Sequence, residues 1–415
     1  MAYTIEKAAS RAGVGVESVA RYAGVGLIDI EKVGEFSDED VRRIQVFQTL
    51  EQAGLPIDGV AALVNSGHLS LGFIEAAGQY VFVPLSDRTF VEVSESTGIP
   101  LETLATIRES LGGIPPDSDD LMGEEELNIL ALVEYQSSLG FRFRAIEQAL
   151  RVYGESLRRM AETEAEWFRS EIVGPMLESG RNEQDVGEFT SEIAPRLAEL
   201  SDEAVLAIYH RQQRHAWSVN IIDGIAMGLE RAGLHQRTQT TPAMCFFDIS
   251  GYTRLTQERG DRAAADFAER MRRLVERPAV AHGGRAVKWL GDGVMFYFAT
   301  PTSAVAAAVA MVSAVTEDGL APAHVGIHAG PVVFREGDYY GHTVNVAARI
   351  GDFARPGEIL VSQQVVDRMD SDSMALTAIG PVELKGLGEG LSLYVAEPRS
   401  STVPSAGSHS RGSAK

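Results

Sequence analysis

Two aspartates stand where apolar runs end. Asp248 closes AMCFFDIS, residues 243–250, and Ser250, Gly251 and Thr253 accompany it. Asp292 sits in KWLGDG, residues 288–293, just before the apolar VMFYFAT. A buried strand leaves such a carboxylate little freedom, and if the two strands pair, the two acids meet at one edge. Two carboxylates plus the oxygens of a triphosphate make a magnesium site. Plainer readings exist: Asp-Gly is a common hairpin signal, and aspartates at strand ends are often structural. A third stretch, NVAARI at 345–350, puts Asn345 and Arg349 four residues apart, on one face of a helix. An amide and a guanidinium on one face suit a sugar and a phosphoryl group, since arginine offers oxyanions a fork of donors. The alternative there is a capping or salt-bridging pair.

The elements around these residues alternate in type. AMCFFDIS is strand-like, RAAADFAERMRRLVERPAVAHG helical, RAVKWLGDGVMFYF two strands around a turn, SAVAAAVAMVSAV helical, and PAHVGIHAGPVVF a strand again. Strand-helix-strand-strand-helix-strand predicts a ferredoxin-like α+β core. The first half reads differently. TIEKAASRAG, VESVARYAG and SDEDVRRIQVFQTLEQAG place apolar residues three and four apart. Ser37 followed by Asp40 marks a helix start. Short helices broken by glycine predict a helix-turn-helix arrangement. GQYVFVPLSDRTFVEV, 78–93, fits either a helix or a hairpin. TGIPLETLATIRESLGG, 97–113, echoes the first unit and is a candidate degenerate second copy. From Glu124 to about Gly233 the pattern is of long amphipathic helices. The last, 205–233, abuts the strand-rich part and is a candidate transmitter. His210 and His215 in it lie five apart, off any common face, and read as surface or boundary histidines; pH sensing is the other reading.

Composition bounds the class. The 415 residues carry 58 acidic and 37 basic side chains, a formal net charge of −21. That argues against broad adhesion to nucleic acid or anionic lipid. The lone Cys245 permits no intrachain disulfide and no cysteine-based zinc site, which suits a reducing compartment. The opening MAYTIEKAASRAG lacks a signal-peptide core, and AVAAAVAMVSAV at 304–315 is too short and alanine-rich for a membrane span. The expectation is a soluble, cytoplasmic protein with no membrane span.

Residues 241 to about 396 resemble the catalytic domain of class III nucleotidyl cyclases. FFDISGYTRLT matches the first metal-aspartate motif, VKWLGDGVMFYF the second, and VGIHAGPVVFREGDYYGHTVNVAARI the long signature around the substrate residues. The resemblance implies that Asp248, Asp292 and the backbone carbonyl of Ile249 hold two Mg²⁺ or Mn²⁺ ions per active site. It implies that Lys288 and Asp338 read the purine edge, the pair expected of adenylyl cyclases. It makes Asn345 the ribose-orienting residue and Arg349 the residue that stabilises charge at the α-phosphate. Lys385 in ELKGLG, and Arg335, are candidates for a further cation on the terminal phosphates. The implied activity is conversion of ATP to cyclic AMP and pyrophosphate by a homodimer with active sites at its interface. The alternatives are a guanylate cyclase, or a transcription regulator that uses a cyclase-like domain to sense a ligand.

Residues Tyr3 to about Val64 resemble the head of the MerR regulators, through TIEKAASRAGV, RYAGVGLI and RRIQVFQTLEQAGLPIDGV. Residues 1–75 hold six basic and eleven acidic side chains, a net of −5. Phosphate contacts need cations, so this count speaks against DNA binding and favours dimerisation or regulation. The expected organisation is a MerR-like segment at 1–75, a helical regulatory and dimerisation domain at 76–234, a linker at 235–240, the catalytic domain at 241–397 and a disordered tail at 398–415. The stimulus acting on the helical part is open between pH, a lipid or small apolar molecule, and a partner protein.

Overall fold

Apolar residues at helical spacing, closed off by glycines and side-chain caps, build the first half of the chain. The computed structural model describes residues 3–28, 36–67, 84–234, 240–250, 252–370, 374–387 and 390–399. The linker at 235–240 and the tail from 398 fall almost wholly outside these residues. The chain divides into two units, Met1–Ala226 and Met227–Lys415.

In the first unit, α1 (Ile5–Ala12) is capped by Thr4 and ended by Gly13, and α2 (Val16–Gly24) follows. Helix α3 (Asp38–Gln52) starts on Ser37 with Asp40 closing a capping box, as the sequence indicates, and α4 (Ile57–Asn65) comes after it. Val19, Tyr22, Ile44 and Phe47 form their shared core. The ambiguous stretch resolves, over its described residues, into a short strand, β1 (Leu85–Thr89), and then α5 (Phe90–Thr97). Thr89 explains the switch: it caps α5 while Glu92 bonds back to its backbone. Next come α6 (Leu101–Ser110), β2 (Leu121–Gly123), α7 (Glu124–Ser138) and α8 (Phe143–Phe168). One π-helical turn, Arg169–Val173, separates α8 from α9 (Gly174–Glu178). Pro175 accounts for it, since its ring clashes with the carbonyl four residues back and the wider turn makes room. Helix α10 (Glu183–Arg231) runs 49 residues, well beyond the expected start at 205, and passes through Pro195.

The second unit has the expected α+β order. Strand β3 (Ala243–Ile249) leads to α11 (Tyr252–Ala281), which is broken at Gly260, and then to β4 (Arg285–Leu290) and β5 (Gly293–Phe298). Helix α12 (Pro301–Glu317) and β6 (Ala323–Ala329) complete the ferredoxin-like core. A small hairpin of β7 (Val333–Arg335) and β8 (Asp338–Tyr340), then α13 (His342–Phe353), β9 (Ile359–Ser362), α14 (Gln363–Val366), β10 (Met374–Val382) and β11 (Leu391–Pro398) finish the chain. The main sheet has the order β10-β11-β9-β6-β3-β5-β4, with β3 antiparallel to both neighbours.

Alternate residues of β3 go to opposite faces. Ala243, Cys245, Phe247 and Ile249 enter the core under α11 and α12. Met244 and Phe246 belong to the cluster on the other face with Met295, Tyr339 and Ala347. Asp248 continues that second series. Helix α13 lies directly on the sheet there: a Cβ added to Gly326 of β6 would fall 2.0 Å from the Gly351 nitrogen. This contact fixes the height of α13 and so of Asn345 and Arg349. Among the described residues no helix is long and apolar enough to cross a membrane.

Gly326→Ala should therefore lower thermal stability sharply, by at least the ~1–3 kcal/mol of an overpacked core site. Denaturant titration of parent and variant measures it; an unchanged midpoint would refute the close-packing argument.

Candidate functional site

Asp248 stands directly across β5 from Gly293 and across β6 from His324. Leu290 and Gly293 pair, so Gly291 and Asp292 form the two-residue turn between β4 and β5, with Gly291 at φ 72°. KWLGDG is thus a hairpin, and the hairpin delivers Asp292 beside Asp248. The turn reading of that stretch holds, and the same turn brings a second carboxylate to the end of β3. Asp248 is held above its ordinary value of 3.8, chiefly because burial strips water from the carboxylate and next because Asp292 repels its charge. His324 pulls the other way, with Nε2 3.6 Å from Asp248 Oδ2. The other ring nitrogen, Nδ1, is 3.3 Å from Ser250 Oγ. Ile249 ends β3 with its side chain buried.

Lys288 on β4 and Asp338 on β8 pair with each other, Nζ to Oδ2 3.3 Å. A bulge between Ala286 and Lys288 puts the lysine opposite Met295. Asp338 follows a tight turn, Glu336–Gly337, in which both residues take positive φ. The hairpin is tied down by Arg285, which donates to the Tyr339 hydroxyl and lies 5.2–5.4 Å from the rings of Tyr297, Phe334 and Tyr339. Tyr297 and Tyr339 stack at 4.6 Å.

Asn345 and Arg349 are exposed one turn apart on α13. Arg349 Nη1 donates to Asp352 Oδ2 at 2.9 Å, and the charge of Asp352 also adds a small upward push on Asp248. Arg335 is opposite Asp338 in the hairpin, but its Nε donates to Glu336 at 3.2 Å. Lys385 is exposed in the turn after β10. The structure thus groups Asp248 with Asp292 and Lys288 with Asp338; it gives Lys385 and Arg335 no bond to either group among the described residues. Sequence reasoning missed Arg285 and His324. Register alone reveals His324, and Arg285 gains its role only from rings distant in sequence.

Residues 234–397 match the family model of the adenylate and guanylate cyclase catalytic domain, and residues 3–66 match that of the MerR HTH family regulatory proteins. The chain carries a class III cyclase catalytic domain preceded by a MerR-like helix-turn-helix segment. It is 26% identical over 324 residues to a pH-sensitive adenylate cyclase of Mycobacterium tuberculosis, covering 74% of this chain and 78% of that one. It is 30% identical over 244 residues to an uncharacterized protein of the same species, covering 57% of this chain and 60% of the relative. An adenylate cyclase of Glutamicibacter nicotianae is 24% identical over 307 residues, with 72% and 76% covered. Among solved structures, an adenylyl cyclase from P. aeruginosa aligns with 39% of this chain and 96% of its own at 24% identity and a TM-score of 0.35.

The MerR match corrects one expectation. The charge count spoke against DNA binding, whereas the family of residues 3–66 argues for that capability. A total over 75 residues averages over faces. Several of the acids are spent inside the segment: Asp40 caps α3, Asp38 accepts from the Tyr3 hydroxyl, and Glu51 from that of Tyr22.

Class III domains generally use divalent ions. Among the described residues no group of three or more His, Cys, Asp or Glu side chains is gathered to hold one. Two carboxylates still fit such an ion when the other ligands are oxygens of a bound nucleotide and water. Gly293 lies against the first carboxylate: a Cβ there would come 3.5 Å from Asp248 Oδ1, in ordinary contact.

The raised pKa has a consequence for stability. An unfolded Asp248 ionises at its ordinary value and the folded one only at higher pH, so its charge opposes folding. The penalty is absent below about the ordinary value of 3.8, grows as pH rises and is complete above the folded value. Asp248→Asn should therefore melt higher than the parent at pH 7 in chelator, with the gap closing as pH falls towards 4. Calorimetry across that range decides it; equal midpoints at neutral pH would count against the crowding of these acids.

Proposed function

We propose that the protein is an adenylate cyclase that converts ATP to 3′,5′-cyclic AMP and pyrophosphate, regulated by its helical first half. The juxtaposition of Asp248 and Asp292 at two paired strand ends carries this reading. These two residues, with the Ile249 carbonyl, would hold divalent ions, Mg²⁺ or Mn²⁺. When bound, such ions acidify the 3′-hydroxyl and neutralise triphosphate charge.

The chain's own residues do the rest. Lys288 donates to adenine N1 and Asp338 accepts from the exocyclic amine. Guanine inverts that pattern, and an unmatched buried polar group costs about 1–3 kcal/mol. Asn345 orients the ribose so that O3′ lies in line with the α-phosphorus. O3′ forms its bond to phosphorus as the bond to the pyrophosphate oxygen breaks, and Arg349 meets the charge developing on the phosphoryl oxygens. Arg349 leaves Asp352 to do so. Lys385, with Arg335 as a second candidate, supplies a cation to the terminal phosphates.

The chain has one catalytic domain bearing both the metal and the purine residues. A homodimer with active sites at its interface therefore supplies two complete sets. The relative described as pH-sensitive aligns over most of this chain, which keeps pH among the candidate stimuli beside a lipid or small apolar molecule. The helix-turn-helix segment makes duplex DNA a further partner.

Asp292→Ala should abolish cyclic nucleotide formation with manganese as well as magnesium, by two orders of magnitude or more. Product analysis after incubation with ATP or GTP and each metal tests this, and retained turnover would reject the metal role. Lys288→Glu with Asp338→Cys should erode the preference for ATP over GTP, read as the ratio of kcat/KM values. An unchanged ratio would mean that the base is read elsewhere.

A further inference from the structure

Residues 84–150 repeat the plan of the first segment. Thr4 and Thr89 each cap a helix by accepting from the backbone nitrogen three residues on. Gly13 and Gly98 end those helices, both at φ 72°. The helices after them, α2 and α6, place Val19 and Tyr22 in one core, Leu104 and Ile107 in the other. A strand pairing precedes the third helix in each copy: Tyr3 with Phe36, and β1 with β2. The third helices, α3 and α7, each carry an acid that bonds back to the residue before the helix, Asp40 to Ser37 and Glu126 to Gly123. The family match stops at residue 66 and leaves this second copy unassigned.

The copies differ where a helix-turn-helix meets its ligand. In the first, the positions of Ser18 and Arg21 on the second helix are open or half-open. Their equivalents, Thr103 and Thr106, are buried. Helix α8 covers them: Thr103 donates to Glu147 at 2.7 Å, and a Cβ on Gly154 would fall 2.3 Å from the Ser110 carbonyl. Residues 85–150 also hold thirteen acidic and four basic side chains, a net of −9. Such a surface repels phosphate.

The second copy does meet the first. Lys7 and Arg11, the two cations of α1, are ion-paired to Asp87 and Glu124, which sit on β1 and at the start of α7. The two cores share no residue. In a DNA-bound helix-turn-helix the first helix crosses the phosphate backbone, and Lys7 and Arg11 lie on that helix.

We propose that residues 84–150 are a second helix-turn-helix copy, converted from binding nucleic acid to clamping the first, and that duplex DNA competes with Asp87 and Glu124 for Lys7 and Arg11. This rests on the reading that the first segment binds DNA. The test uses the full chain and a fluorescent 30-base-pair duplex of mixed sequence, with anisotropy read across a salt series. Asp87→Asn with Glu124→Gln should tighten binding about 2- to 30-fold, the range for two released surface ion pairs, with the larger share from Arg11, whose side chain is mostly buried. The slope of log affinity against log salt should steepen by up to about 1.8, for two added phosphate contacts. Lys7→Gln with Arg11→Gln should cancel both changes. Helical circular dichroism checks the fold, and either single acid variant serves if the double one does not fold. Binding by the parent that is unaltered in the acid variants overturns the clamp and leaves DNA binding standing. No binding by the parent or the unclamped variants overturns both.

Discussion

Two like charges held together at the ends of paired strands set the terms for the catalytic unit. Asp248 and Asp292 gain nothing from their closeness in the free chain; it costs stability. The sheet must therefore be stiff enough to keep them there. Strand β3 supplies that stiffness, with a full partner on each side and one face sealed under α11 and α12. The tight turn at Gly291 admits the second carboxylate. His324, drawn in from β6, and the backbone N–H of Ile249, which donates to Asp248 Oδ1 at 2.8 Å, both relieve the repulsion.

A different solution governs Lys288 and Asp338. They satisfy each other, so neither is left without a partner. The lysine is half-exposed, which makes the pair weak and readily exchanged for a ligand. Its geometry depends on a hairpin of only a few residues. Arg285, lying among three rings, holds that hairpin to the sheet, and each such contact contributes about 0.5–1 kcal/mol at exposed sites.

Much of this was legible in the sequence because it is written in local periods. Strand alternation, the apolar runs before Asp248 and after Asp292, the four-residue spacing of Asn345 and Arg349, and the Ser37 cap all lie within a few residues. What escaped depends on register or on distant packing. His324 faces Asp248 across paired strands that are distant in sequence. Helix α10 begins earlier than the expected 205, and the chain stays helical through both Gly187 and Pro195. The DNA expectation failed for a related reason: a total charge carries no information about which acids are already engaged as caps and hydroxyl acceptors.

The single cysteine has a practical consequence. Cys245 lies wholly buried in β3, three residues from Asp248, and burial pushes its thiol far above the usual range. No thiolate forms there while the sheet is intact, so alkylating reagents find nothing to label in the folded chain. The rate at which the native protein takes up such a reagent becomes a clock for rupture of the strand that carries Asp248. Because it is the sole background thiol, cysteines introduced elsewhere can bear spectroscopic probes without first replacing it.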